Sequence, residues 1–520
     1  MQRNKAASRT WCTRLAHAAT VAASLTCLLS QAAWAADPAA VADQVRDWRR
    51  THEQQIIDRF AGLLSIPNVA TDLENIRKNA VVISGMLQRR HFTVRLLETE
   101  GAPPAVFAER KTPGASKTLL VYAHYDGQPV NPEDWASDPW KPVMRDGLVE
   151  YGGKEVPMQA PFDPEWFIFG RSAGDDKAPI IALTAALDAL DDKGIGLSVN
   201  LKLFLDGEEE AGSPHLPGLL ERFHDLLTAD LWLFCDGPVH QSRRWQLVYG
   251  VRGADGFGLT VYGPNRPLHS GHYGNWAPNP IMRLAELLTT MRDGAGNILI
   301  DGYDDQVRPL TLTESQAIQS APAVDDTLVR ELGIGRPETD DRLEMAVMRP
   351  ALNLRGIRSG DVGAKARNSI QTSATASIGL RLVPDQTIDY VHDAVERHIE
   401  NQGYLVVHSE PTAEQRATHD RIARVDWEGG GYPAYRAPMD LPIAQSVAAI
   451  MKQLSDNALV QLPTMGGSLP IYLIEKSLGS PVLILPVANH DDNQHGKNEN
   501  LRLKNLWDAI EIYAAVLTNL

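Results

Sequence analysis

The sequence predicts an α/β protein with a mostly parallel central sheet, helices on both faces, and a smaller α+β unit inserted into it. Three observations carry this reading. Apolar runs of strand length alternate with amphipathic helical patterns along most of the chain. Two of the runs, 119–123 and 231–234, are continuous rather than alternating, as strands buried on both faces require. Near residue 246 the pattern changes to strands with alternating faces, and after residue 409 the α/β alternation returns.

Each element follows in order. Residues 40–64 form an amphipathic helix, with Val45, Trp48, Ile56, Phe60 and Leu63 broadly on one side. Residues 73–90 repeat that pattern. Strands are predicted at 93–97, 105–108 and 119–123, a helix at 177–190, and strands at 199–205 and 231–234. Strands with alternating faces follow at 246–249 and 256–262, then a helix at 279–293. A polar stretch at 300–350 leads to an alternating strand at 372–382 and a helix at 386–401. The α/β alternation resumes with a helix at 440–455, a strand at 482–487 and a helix at 503–518. Residues 128–168 are rich in Pro, Asp and Trp with little periodicity, and read as a long surface loop. The division is therefore 36–250 and 409–520 for the main unit and 251–408 for the inserted one.

Residues 1–35 are set apart. They carry Arg3, Lys5, Arg9 and Arg14, no acid, an apolar run at 15–29 and Ala33-Trp34-Ala35 before Ala36. This is the pattern of a cleaved secretory signal peptide and predicts a periplasmic or secreted protein. The run is shorter than the roughly 20 residues of a membrane span. Leu25-Thr26-Cys27 lacks the small residue expected before a lipidated cysteine. Removing the leader takes the net charge from −15 to −19 and leaves Cys235 as the sole cysteine, so no intrachain disulfide is expected. A chain this acidic is a poor candidate for sequence-independent nucleic-acid binding.

The chemistry gathers just after strands, where open α/β sheets hold ligands. His124-Tyr125-Asp126 follows one strand, Asp206-Gly207-Glu208-Glu209-Glu210 another, and Cys235-Asp236-Gly237 a third. Gly170-Arg171-Ser172-Ala173-Gly174-Asp175-Asp176-Lys177 precedes a helix. His490-Asp491-Asp492-Asn493-Gln494-His495-Gly496 follows the last strand. Imidazoles mixed with carboxylates suit zinc and other first-row divalent ions. Asp126, two residues beyond His124, suits the carboxylate that commonly receives a ligand histidine's other nitrogen. A solvated loop is the competing reading of Glu208–Glu210.

Taken together, the five clusters resemble the M20 metallopeptidases, co-catalytic zinc hydrolases that include dipeptidases, carboxypeptidases and deacylases. The resemblance runs from about residue 119 to 500 and is nearest the carnosine dipeptidase-like branch. That branch is marked here by residues 206–213, Leu268-His269-Ser270-Gly271, Arg381-Leu382-Val383-Pro384, Gly466-Gly467-Ser468 and residues 491–499. It implies a zinc-exopeptidase-like catalytic domain whose inserted unit acts as lid and dimerisation domain. It implies two zinc ions per chain, with manganese or cobalt as possible substitutes. His124 and Asp236 would hold one ion, Glu210 and His495 the other, and Asp175 would bridge them. Asp126 would orient His124, and Glu209 would be the general base. His269 would reach the oxyanion, often from the other subunit of a homodimer. Asn368, Arg381, Gly467 and Ser468 would receive the substrate's C-terminal carboxylate.

The implied reaction is hydrolysis of a dipeptide or of the C-terminal bond of a short peptide, with N-acyl-amino-acid deacylation as the alternative. A periplasmic ligand-binding protein and a glycosidase are the rivals from other classes. The chain departs from the family pattern at Ser172 and Ala178, where glycine is common. Residues 150–168, with Trp166 and Phe167, look like extra length able to reshape the pocket rim. His490 competes with His495 as a ligand, and His272 matches no motif.

Overall fold

The computed structural model describes residues 37–455 and 458–520. The expected leader and the cleavage site after Ala35 lie outside the described residues. No described helix is long and apolar enough to cross a membrane.

An eight-stranded sheet forms the main body. At its centre run Asn200–Asp206, Thr118–His124, Leu231–Phe234 and Val482–Ile484, each parallel to its neighbour. Their side chains are almost all buried, which explains the continuous apolar runs. The flanks are antiparallel: Ala105–Arg110 and Thr93–Leu97 on one side, Gln246–Val248 on the other, with Val460–Leu462 completing the edge. The sheet is thus mixed, with four parallel strands in the middle and Val460–Leu462 parallel to Gln246–Val248 at one edge. Helices Pro38–Leu64, Lys177–Lys193, Pro442–Leu454 and Leu503–Asn519 pack together over it. Leu216–Arg222, His224–Leu227 and Tyr472–Leu478 form a second packed group.

A second, five-stranded sheet has the order Ala351–Arg358, Ser373–Leu382, Gly253–Tyr262, Ile422–Trp427 and Leu405–Val407. Ser373–Leu382 alternates between buried and half-exposed positions. Its buried face meets Leu284, Leu287 and Met291 of helix Pro280–Met291 and Val391, Val395 and Ile399 of helix Ile388–Asn401. This sheet extends past the expected edge at residue 408. Ile422–Trp427 pairs with its central strand, Trp427 opposite Phe257.

Two stretches differ from expectation. Residues 128–168 hold Val143–Arg145 and Glu155–Val156, and with Phe167–Phe169 these build a four-stranded sheet closed by Asn500–Arg502. Strands of two or three residues carry no readable periodicity, and their partner lies more than three hundred residues on. The polar stretch 300–350 contains helices Leu312–Ser320, Asp325–Glu331 and Leu343–Ala346. The first is capped by reciprocal Thr311 and Glu314 bonds and packs on edge strand Val460–Leu462.

Candidate metal centre

Parallel pairing sets the site. His124 ends its strand directly opposite Asp206, the last residue of the neighbouring strand. Asp236 lies two residues beyond Phe234, the last residue of the next strand across. These chain ends emerge on one edge, and the loops beyond them converge. The small four-stranded sheet then sets the Gly170–Asp176 turn beside the loop carrying His495. Packing there is close enough to demand glycine. A Cβ at Gly174 would stand 2.6 Å from Asp492 Oδ2, and one at Gly127 would stand 2.3 Å from Ser172 Oγ.

Two groups of candidate ligands result, each with its ligand atoms within 4.8 Å of one another: His124, Asp175 and Asp236, and Asp175, Glu210 and His495. Asp175 belongs to both. Its Oδ1 lies 2.8 Å from His124 Nε2, and its Oδ2 lies 3.2 Å from His495 Nε2. His495 Nε2 is also 3.2 Å from Glu210 Oε2, and His124 Nε2 is 3.9 Å from Asp236 Oδ2. Glu209 Oε2 stands 4.0 Å from His124 Nε2. His490 turns elsewhere, toward Glu331 at 3.9 Å.

The three adjacent glutamates are not one solvated loop. Glu208 is buried and meets His215, whose Nδ1 is 2.9 Å from Oε2. Glu209 and Glu210 turn to the site, and their backbone N–H groups donate to the two oxygens of Asp126 at 3.1 and 3.0 Å. The same Asp126 Oδ1 is 3.3 Å from His124 Nδ1. One buried carboxylate therefore touches the groups that carry three candidate site residues. Ser172 accommodates its departure from glycine in the left-handed region, at φ +63°. Its hydroxyl accepts from Asn68 Nδ2 at 2.9 Å and donates to the Asp126 carbonyl at 3.2 Å. Two amides to which the sequence assigns no role also meet the site. Gln494 Nε2 donates to Asp175 Oδ2 at 2.8 Å, and Gln128 Nε2 donates to Glu210 Oε2 at 2.7 Å. Their only sequence signal is adjacency to His495 and to the His124 cluster.

The donor set fits divalent cations. Asp175, Glu209, Glu210 and Asp236 set four carboxylates against two imidazoles, and His124, Asp175 and Asp236 are buried. With all four carboxylates ionised, negative charge exceeds that of both imidazoles even when these are protonated, in a poorly solvated place, an excess that divalent cations would neutralise. The protein groups titrate accordingly. Burial, then repulsion from Asp175, pushes Glu210 up to about 7. Burial, then Asp175, lifts Asp236 to about 6. Burial and nearby carboxylates raise Glu209 well above the carboxylate range, against the pull of His124. The hydrogen bond to Asp175, then Glu210, raises His495 to about 9 despite burial. Burial opposes charge on Asp175, but His124 and hydrogen bonds from His495 and Gln494 outweigh it and hold the carboxyl low.

A cavity of about 560 Å³ opens on these groups, lined by Asp175, Glu209, Asp236 and His495 on one side and Arg381, Gly467 and Ser468 on another. Arg381 Nη1 donates to Ser468 Oγ at 2.5 Å. Residues 150–168 do not line it, contrary to expectation. Phe167 instead clusters with Leu148 and Phe169, and Trp166 packs on the main core. The wall comes from the polar stretch, through Leu343, Glu344 and Val347. His269 and Asn368 are exposed and outside the lining. They are neighbours, since His269 pairs with Ser369 and the Ser270 N–H donates to the Asn368 carbonyl at 3.0 Å. His272 lies beside His269, with ring centroids 4.6 Å apart.

The sequence model of Peptidase family M20/M25/M40 matches residues 120–519. The chain is 29% identical over 483 residues to the Cys-Gly metallodipeptidase DUG1 of Candida albicans, covering 87% of this chain and 91% of that one. It is 27% identical over 433 residues to the human Beta-Ala-His dipeptidase, covering 79% and 76%. Among solved structures it resembles the M20 family metallo-carboxypeptidase Sso-CP2 of Sulfolobus solfataricus, with a TM-score of 0.71 and 25% identity over 89% of this chain and 98% of that one.

Proposed function

The chain belongs to peptidase family M20/M25/M40, and from that membership we propose that it is a dinuclear metal-dependent dipeptidase. The reaction is hydrolysis of the peptide bond of a dipeptide, or of the C-terminal bond of a short peptide, beside a free carboxylate. The observation that carries this reading is Asp175 shared between two ligand groups. His124 and Asp236 would hold one ion, Glu210 and His495 the other, and Asp175 both. Zinc is the expected metal, with manganese or cobalt able to replace it. When bound, two such ions lower the pKa of a water and polarise the scissile carbonyl.

The remaining steps belong to the chain's own groups. Glu209 takes the proton of the attacking water and returns it to the leaving amine, a task suited to a carboxylate that lines the cavity from a fixed turn beside the candidate ligands. Asp126 fixes the ring of His124 and the turn bearing Glu209 and Glu210. Arg381 and Ser468, with the Gly467 backbone, receive the substrate carboxylate on the cavity wall. His269 and Asn368 sit together on an exposed edge outside the cavity, which supports their delivery from a second copy in a homodimer. The exposed Leu354 and Ile357 of edge strand Ala351–Arg358 support the same assembly.

The apolar wall formed by Val239, Leu343, Val347, Leu462 and Met465 favours one second reading, N-acyl-amino-acid deacylation. Cys-Gly, β-Ala-His, N-acetyl amino acids and C-terminally amidated dipeptides separate the two. Cleavage of free dipeptides, with amidated ones cleaved much more slowly, is expected; preference for N-acetyl amino acids would favour the deacylase. The expected periplasmic or secreted location rests on residues 1–35 alone.

A further inference from the structure

We propose that Glu499 is a positioning residue that locks the bridging Asp175 and the His495 loop into one unit, an inference that rests on the metal-site reading above. Glu499 is fully buried, at 0% exposure, and its carboxylate accepts from four donors, all on the turn that ends in Asp175. Arg171 Nη1 reaches Oε2 at 2.7 Å, and the Ser172 N–H reaches the same oxygen at 2.9 Å. The N–H groups of Gly174 and Asp175 itself donate to Oε1 at 3.1 and 3.0 Å. Successive backbone N–H groups around a left-handed residue make an anion-binding concavity, and here the anion is a side chain of the same protein.

The coupling runs in both directions. Arg171, held by Glu499, also donates from Nη2 to the carbonyl of Gly496, next to His495. The Gly170 N–H donates to the Glu499 carbonyl at 3.0 Å. The guanidinium lies 5.1 Å from the Trp135 ring centroid, which closes the outer side. The backbone of Asp175 is thus fixed by Glu499 while its two oxygens face His124 and His495. Because charged acceptors bind N–H donors more strongly than neutral ones, the negative charge of Glu499 is what fixes the turn.

The test compares E499Q with E511Q. Glu511 is also a buried carboxylate, bonded to Arg46 between two helices, and it lines no part of the cavity. Zinc affinity is measured by competition with a chromophoric chelator, folding by circular dichroism, and kcat and KM with Cys-Gly. E499Q is expected to bind zinc about 10–100-fold more weakly, the usual loss when a residue supporting a metal ligand is removed. Its kcat should fall at limiting zinc while KM stays within about twofold, and E511Q should keep both affinity and kcat. Should E499Q not fold, E499D supplies the test: the shorter carboxylate keeps the charge but strains its reach, so weakened zinc binding in a folded protein is expected. A folded E499Q with wild-type zinc affinity overturns the proposal, as does an equal loss in E511Q. A wild-type protein that takes up no zinc overturns the metal-site reading itself, and this inference with it.

Discussion

Glu209 Oε2 stands 4.0 Å from Nε2 of His124, close to the candidate ligands but in neither of the two ligand groups. Its backbone N–H is tied to Asp126, so the side chain projects from a fixed turn. Its place outside both ligand groups suits a proton carrier beside a metal rather than a further ligand to it.

Substituting Glu209 by Gln is therefore expected to lower kcat by at least about 10²–10⁴, the range for removal of a positioned general base. Metal content, measured by elemental analysis, should not change. A Gln variant within tenfold of wild type would remove Glu209 from the mechanism.

The pH dependence of stability should expose the metal. In the protein alone, Asp236 titrates near 6, Glu210 near 7 and His495 near 9, all above their ordinary values. A raised folded-state value contributes stability below the ordinary value, and that contribution is lost as pH rises through the folded one. Metal-stripped protein should thus lose Tm as pH is raised from about 4 to about 9. Bound cations favour the ionised carboxylates and neutral imidazole, so the Tm gap between loaded and stripped protein should widen with pH. Parallel Tm curves would contradict the assignment.

Arg381 gives a prediction about binding rather than chemistry. Replacing it with Ala should raise KM for free dipeptides by about 10–100-fold, as expected for one charged hydrogen bond of about 1.5–3 kcal/mol. C-terminally amidated dipeptides should show no such difference. Equal effects on both substrates would place the carboxylate elsewhere.

His269 is exposed and lies outside the cavity of its own chain. If a second copy supplies it, H269A and E209Q are each nearly inactive alone, yet mixed subunits should regain activity through sites that combine both intact residues. A rise well above both parents, measured after subunit exchange, supports delivery in trans. No rise in a demonstrated heterodimer counts against it.

Much of the site is legible in the chain. Residues 119–123 and 231–234 show as continuous apolar runs within strands Thr118–His124 and Leu231–Phe234, and the residues just beyond the runs read as strand-end chemistry. Asp126 and Glu209 are marked by their place beside His124 and Glu210. What escapes a reading of the sequence depends on long-range pairing. The three-residue strands at 143–145 and 167–169 have no period, and their sheet is completed by residues 500–502. Glu499 stands in a recognisable motif without a role there, because its four donors lie more than three hundred residues away in the chain. Glu344 enters the cavity wall from a stretch whose polar composition gives no sign of a helix.

The most direct test of the central claim is the metal content of the purified protein, measured alongside Cys-Gly hydrolysis before and after chelation. About two divalent ions per chain are predicted, with activity lost on chelation and restored by zinc or manganese. Protein that carries no divalent ion and hydrolyses dipeptides equally well in excess chelator would contradict the account.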